Sequence, residues 1–350
     1  MLWLGRFFRQ DLGIDLGTAN TVIAVAGMGV VLNEPSVVAL EKDSKRRLVG
    51  GSAVGKLARQ MLGKTPQSMS AAKPLSRGVI TDYRLCEAML LAFMKKLRRQ
   101  TRRSLIRPRV LVSAPIEMTA VERRALFNTI ERCGASRSYL ISKAKAAAIG
   151  AGLPISEPVA SMICDLGSGT TEIAIFSLGE AVSSRTCSVA GDDLDRAIAD
   201  YLKKNYALRI GLPTAEQLKL DIGSAVPLSQ ELSSEVRGLD IISGVPRRAF
   251  ITSEDLREAI TEPLSRIVAG IRETIEACQP ELVADLAETG IVLTGCAARL
   301  RGLDQLLTDQ LGIVVRIDDE PESATVRGMS ICLDHFDEWK QQFLTDLRDA

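Results

Sequence analysis

Residues 13–26 read Gly13-Ile14-Asp15-Leu16-Gly17-Thr18-Ala19-Asn20-Thr21-Val22-Ile23-Ala24-Val25-Ala26, and residues 163–176 read Ile163-Cys164-Asp165-Leu166-Gly167-Ser168-Gly169-Thr170-Thr171-Glu172-Ile173-Ala174-Ile175-Phe176. The two stretches lie 150 residues apart and align without a gap. Each is an apolar strand ending in an acid, a tight Gly/Ser/Thr turn and a second strand of β-branched and apolar residues, the pattern of a hairpin. A matched pair points to a duplication, one copy opening each of two related α/β domains. Gly17 and Gly169 are expected to free the backbone so that successive N–H groups converge on one anion, and Thr18, Ser168, Thr170 and Thr171 add hydroxyl donors. Such a turn cradles phosphate. Asp15 and Asp165, at the strand ends, are expected to face the same phosphates through hydrated Mg²⁺, since a carboxylate is tolerated there only with a cation between. Two hairpins holding one polyphosphate predict a cleft between the domains.

Composition narrows the class. The chain has 350 residues, 46% of them hydrophobic, with 44 Lys+Arg against 43 Asp+Glu for a formal charge of +1. That length supports two cores and excludes disordered, collagen-like and small disulfide-scaffold classes. Seven widely spaced cysteines without a CxxC pair, and the single His335, speak against a zinc site and against Ser-His-Asp or Cys-His catalysis. No apolar run is long enough to span a bilayer. In the first ten residues, Met1, Trp3, Leu4, Phe7 and Phe8 fall on one arc of a helical wheel, with Arg6, Arg9 and Gln10 opposite. That arrangement predicts an amphipathic helix on a membrane surface.

Helical spacing is read over residues 86–99, 119–133 and 144–151, and from Glu254 onward, capped by Ser253 and restarted by Pro263, with Ile267, Ile271 and Ile275 as its apolar stripe. Residues 109–113 and 290–295 read as strands, the second followed by a helix from about Arg301. The stretch Gly50-Gly-Ser-Ala-Val-Gly55-Lys56-Leu57 comes near a P-loop, but Leu57 stands where Ser or Thr would ligate magnesium, so it reads as a loop entering a helix.

Taken together, these residues resemble the actin and sugar-kinase superfamily and, more narrowly, the MreB family of bacterial actins. The resemblance covers nearly the whole chain. Asp15-Leu-Gly-Thr-Ala-Asn-Thr21 is similar to the family's first phosphate loop, and Asp165 to Glu172 to its second. Leu32-Asn-Glu-Pro-Ser-Val37, Gly78-Val-Ile-Thr-Asp82, Val121-Glu-Arg-Arg124, Ala146-Ala-Ala-Ile-Gly-Ala-Gly-Leu-Pro154 and Ile222-Gly-Ser-Ala225 are also MreB-like. The resemblance implies an actin-like α/β fold: domain I over 1–145 with 322–350 returning to it, and domain II over 146–321 with a smaller subdomain at about 181–245. It implies ATP and Mg²⁺ as cofactors and self-assembly into filaments, usually antiparallel pairs. It also implies a cytoplasmic protein, peripheral on the cell membrane, that organises cell-wall synthesis and shape with partners such as RodZ-type adaptors. Thr18, Ala19, Asn20, Ser168, Gly169 and Thr170 would contact phosphate. Glu216 and Lys219 would border adenosine, with Gly295, Cys296, Ala297, Ala298 and Arg299 on the nucleotide's other side.

Two departures matter. Where relatives carry Glu-Glu-Pro or Asn-Glu-Pro, whose second acid orients the attacking water, this chain reads Ser142-Lys143-Ala144. A cation cannot do that work, and its loss typically costs about 10²–10⁴-fold in rate, so Lys143 predicts ATP binding with very slow hydrolysis. The usual Gly-Gly-Gly of the adenosine-side loop is Gly295-Cys296-Ala297 here, which predicts weakened affinity.

Residues 95–109 hold eight basic side chains and no acid, around Leu105-Ile106. No aromatic is interleaved for base stacking, so nucleic acid is not expected. In the MreB family the matching loop dips a hydrophobic tip into the bilayer, and basic residues near an anionic leaflet add about 1 kcal/mol each. Without these eight, 36 basic residues remain against 43 acids, so near-neutrality is the sum of an acidic body and one basic stretch. A sugar-kinase-like phosphotransferase is the competing reading, opposed by Lys143, which is badly placed to activate an acceptor hydroxyl. A DnaK-type chaperone would need a separate peptide-binding domain.

Overall fold

The two hairpins become the first strand pairs of two separate sheets. The computed structural model describes residues 11–41, 53–66, 68–101 and 107–345. They divide into two units, one running to Leu153 and resuming at Ser323, the other Pro154–Glu322.

In the first unit the elements are β1 (Leu12–Leu16), β2 (Asn20–Val25), β3 (Gly29–Pro35), β4 (Val38–Glu41), α1 (Lys56–Met61), β5 (Met69–Ala72), β6 (Leu75–Ser76), β7 (Val79–Ile80), α2 (Tyr83–Thr101), β8 (Arg109–Ala114), α3 (Ala120–Arg132), β9 (Arg137–Ser142) and α4 (Lys143–Gly150). The second unit holds β10 (Ser161–Leu166), β11 (Thr171–Ser177), β12 (Glu180–Cys187), α5 (Gly191–Asn205), β13 (Leu208–Arg209), α6 (Leu212–Ile222), β14 (Ser233–Asp240), β15 (Pro246–Thr252), α7 (Ser253–Glu276), α8 (Pro280–Thr289), β16 (Ile291–Thr294), α9 (Leu303–Leu311) and β17 (Val315–Ile317). The chain then returns to the first unit with α10 (Ala324–Asp334), α11 (Phe336–Trp339) and β18 (Leu344–Thr345).

The first sheet has the order β18-β9-β8-β1-β2-β3 and the second β12-β11-β10-β16-β17. In each, the hairpin's first strand is antiparallel to its partner and parallel to the next strand inward, β1 beside β8 and β10 beside β16. A strand flanked on both sides and covered on both faces reads as a continuous apolar run, which is why β1 and β10 are buried along their whole length.

In the first unit, α10 lies on α4 at very close range. Gly150 faces the Ala324 carbonyl and Gly328 faces the Ala146 carbonyl; a Cβ at either glycine would sit 1.8 Å from that oxygen. Arg327 locks the pair, donating from Nε and Nη2 to the Gly150 carbonyl at 3.2 and 3.1 Å and from Nη1 to Ser323 Oγ at 2.8 Å. These contacts keep α4 and α10 in one unit, whose first segment runs to Leu153.

The small three-stranded sheet β13-β14-β15 runs to Thr252, and β12 belongs to the main sheet of its unit. The cap of α7 is Thr252, in a capping box with Asp255, and the helix runs unbroken through Pro263.

Candidate functional site

Each turn is built the same way. Leu16 pairs with Thr21 and Leu166 with Thr171, and the N–H groups of Gly17 and Gly167 close the turns onto the carbonyls of Asn20 and Thr170 at 3.1 and 3.0 Å. Neither Gly17 nor Gly169 has a positive φ. Gly17 is required by crowding, because a Cβ would lie 2.6 Å from the Asn20 carbonyl oxygen.

Other carbonyls of the turns are taken by braces. In the first turn Ser36 donates its N–H to Ala19 O and its hydroxyl to Gly17 O, both at 2.7 Å. In the second, the first N–H groups of α5 do the same work, Gly191 to Gly167 O at 3.1 Å and Asp192 to Ser168 O at 2.7 Å. Among the described residues no backbone acceptor takes the N–H of Thr18, Ala19, Ser168 or Gly169. Successive N–H groups in a turn with its carbonyls occupied suit an anion.

The acids repeat the symmetry. Asp15 is buried and its Oδ1 accepts the Ser113 hydroxyl at 2.6 Å; Asp165 is buried and its Oδ1 accepts the Thr294 hydroxyl at 3.0 Å. Ser113 lies one residue from the end of β8 and Thr294 ends β16, the parallel neighbours of β1 and β10. They were not singled out as site residues, although the signal is there: Val110-Leu-Val-Ser113 and Ile291-Val-Leu-Thr294 are both apolar strands ending in a hydroxyl. Glu172 lies directly across from Asp165 in the ladder and is also buried, accepting from Thr186 Oγ1 at 2.9 Å. Among the described residues no group of three or more His, Cys, Asp or Glu could cage a metal. Single carboxylates beside such turns are oxygen donors of the kind a hydrated Mg²⁺ takes, so the residues fit that ion.

Lys219 does not project freely toward a ligand. Its ammonium lies 2.7 Å from Asp195 Oδ1 and donates to Gly191 O at 3.0 Å, which ties α6 to the start of α5 and so to the brace of the second turn. Burial pushes the Asp195 carboxyl up from its ordinary value, with Lys219 opposing. Glu216 is half-buried one turn earlier on α6.

In the 295–299 loop Gly295 has φ +86°, and a Cβ there would meet the Leu166 carbonyl at 2.2 Å. The side chains of Ala297 and Ala298 are buried in the core of their unit, and Arg299 pairs with Glu322 at 2.8 Å. Cys296 alone among these small residues has its side chain exposed. Lys143 is the first residue of α4, half-buried behind the Ser142 cap, while Lys145 is buried.

Trp3, Phe7, Phe8, Leu105 and Ile106 lie outside the described residues. Among the described cations of this stretch, Lys96 pairs with Glu34, and Arg109 with Asp11 while its guanidinium lies 3.8 Å over the Phe336 ring. Among the described residues no helix is long and apolar enough to cross a membrane.

Comparison with known proteins agrees with this geometry. The family model described as MreB/Mbl protein matches residues 9–341. The chain is 45% identical over 332 residues to the cell shape-determining protein MreB of Escherichia coli strain K12, covering 94% of this chain and 95% of that one. It is 40% identical to the cell shape-determining protein Mbl of Bacillus subtilis strain 168, covering 97% and 100%. The ADP-bound crystal structure of MreB5 from Spiroplasma citri superposes with a TM-score of 0.89 at 34% identity, covering 95% and 98%. The MamK double helical filament shares the fold, with a TM-score of 0.77 at 22% identity over 94% and 99%. With its duplicated hairpins, paired sheets and near full-length match, this chain is an actin-like protein of the MreB/Mbl family.

Proposed function

We propose that this protein binds Mg-ATP through its two turns, assembles into filaments at the membrane surface, and serves cell shape by organising cell-wall synthesis. The observation that carries the nucleotide reading is the doubled turn, with carbonyls braced from behind, N–H groups facing outward and a buried acid beside each. The Spiroplasma citri relative has been solved with ADP and with AMPPNP, which supports the same ligand class. Thr18, Ala19 and Asn20 in one turn and Ser168, Gly169 and Thr170 in the other hold phosphate; Asp15 and Asp165 orient the water shell of Mg²⁺, which supplies charge neutralisation to the phosphates. Glu216, Lys219 and the 295–299 loop border the nucleoside.

Hydrolysis is slow because Lys143 occupies the place of the water-orienting acid. The protein is therefore a filament held in its ATP state more than a turning-over ATPase. Electron microscopy with ATP, alongside phosphate release, tests this. Filaments with little phosphate released are expected, and Lys143→Glu raises release by at least about 10-fold, a conservative share of what a positioned carboxylate supplies. Rapid release by the unmodified protein, or no increase in the variant, refutes the slow-hydrolysis reading. Absence of filaments together with phosphoryl transfer to a sugar favours the phosphotransferase reading.

A further inference from the structure

The two turns are braced by different means. The second rests on backbone N–H groups at the start of α5, which any sequence would supply once the helix forms. The first rests on one backbone N–H and one side-chain hydroxyl, both of the same residue. Ser36, fully buried, holds Ala19 O with its N–H and Gly17 O with its hydroxyl, each at 2.7 Å. A serine hydroxyl has one proton. With it committed to Gly17, the 2.8 Å contact between Ser36 Oγ and Thr21 Oγ1 is a bond donated by Thr21, itself fully buried. Thr21 thus fixes the rotamer of Ser36, and Ser36 fixes the curvature of residues 17–19. On the ligand side, Gly78 N–H donates to Thr18 Oγ1 at 3.1 Å, leaving the Thr18 hydroxyl proton to point elsewhere.

Resting on the reading that this turn binds phosphate, we propose that Ser36, relayed by Thr21, is a positioning residue for phosphate recognition. It touches no ligand; it holds the carbonyls of Gly17 and Ala19 back so that the N–H groups of Thr18 and Ala19 converge on the polyphosphate.

The test compares affinities of the full chain for Mg-ATP, Mg-ADP and adenosine, with thermal unfolding in parallel, for the unmodified protein, Ser36→Ala, Thr21→Val and Thr21→Ser. Loss of one buried hydrogen bond from a recognition turn is worth about 3- to 10-fold. Ser36→Ala and Thr21→Val are expected to weaken ATP and ADP by that factor and leave adenosine unchanged, while Thr21→Ser, which keeps the hydroxyl, matches the unmodified protein. A lowered melting temperature with an unchanged ATP-to-adenosine ratio shows a merely structural role and overturns the proposal, as does equal loss in Thr21→Ser. If Ser36→Ala does not fold, Thr21→Val against Thr21→Ser decides alone. Failure of the unmodified protein to prefer ATP over adenosine sinks the phosphate reading itself, and this proposal with it.

Discussion

Gly328→Ala probes the tightest packing in the molecule. The added methyl would lie 1.8 Å from the Ala146 carbonyl oxygen and 2.8 Å from its carbon, and real Cβ atoms essentially never approach within 3.0 Å. Because the oxygen belongs to helix backbone and cannot swing aside, α10 has to retreat from α4 by at least about 1.2 Å. Overpacking costs about 1–3 kcal/mol and a rigid backbone contact sits at the upper end; the better helix propensity of alanine returns about 1 kcal/mol. The same retreat stretches the two bonds from Arg327 to Gly150 O, and a hydrogen bond to a charged group is worth about 1.5–3 kcal/mol. The expected loss is about 4 kcal/mol. For a unit of this size that lowers the melting temperature by about 8–15 °C, read by calorimetry or by circular dichroism. Gly150→Ala makes the mirror contact with Ala324 O, so the double variant should cost much less than the sum. If Gly328→Ala melts within 2 °C of the unmodified protein, on the order of 1 kcal/mol, the helix pair is not the rigid contact described.

Alkylation with mass-spectrometric readout should find Cys296 the fastest thiol, since burial pushes Cys86, Cys133 and Cys332 up to about 12. Mg-ATP should slow its labelling, and equal rates with and without nucleotide would count against a nucleoside beside residue 296. Glu231, bonded by Arg257 and Ser253, titrates at about 2, below its ordinary 4.5. Its contribution is full above pH 4.5 and fades as pH falls toward 2, so Glu231→Gln should melt lower than the unmodified protein at pH 7 and converge with it near pH 2; a constant difference across that window argues against the ion pair. Sedimentation with anionic liposomes should pull down the protein in a salt-sensitive way, less so for Trp3→Ser and Leu105→Ser; equal pelleting of all three rejects membrane attachment through these residues.

The hairpins, their strand-end acids and the alternation of strands with helices were legible because each is a local pattern. An apolar run, an acid, a small-residue turn and a second run need no distant partner to be recognised. The helical spacing over 119–133 likewise marked α3, whose start the structure closes with a capping box between Thr119 and Glu122. What escaped reading were the side-chain contacts made by residues far apart in the chain. Asp15 and Ser113 meet because β1 and β8 are parallel neighbours, across a separation of 98 residues. The ion pair of Lys219 with Asp195, and its bond to Gly191 O, join two helices across 24 and 28 residues of sequence. The burial of Ala297 and Ala298 in the core of their unit likewise depends on strands and helices brought from elsewhere in the chain. Pro263 looked like a break, but α7 continues through it because its apolar face, with Ile260, Leu264, Ile267 and Ile271 buried on either side of the proline, is held by tertiary packing.

The sequence by itself determined that two copies of one small-residue turn exist and which acids accompany them, since composition and spacing encode a turn directly. Only the tertiary structure decided what stands behind each turn: a buried serine hydroxyl for the first, a helix N-terminus for the second. Hydrogen bonds to turn carbonyls depend on where strands and helices are brought by the packing of the whole unit, and no local pattern carries that information.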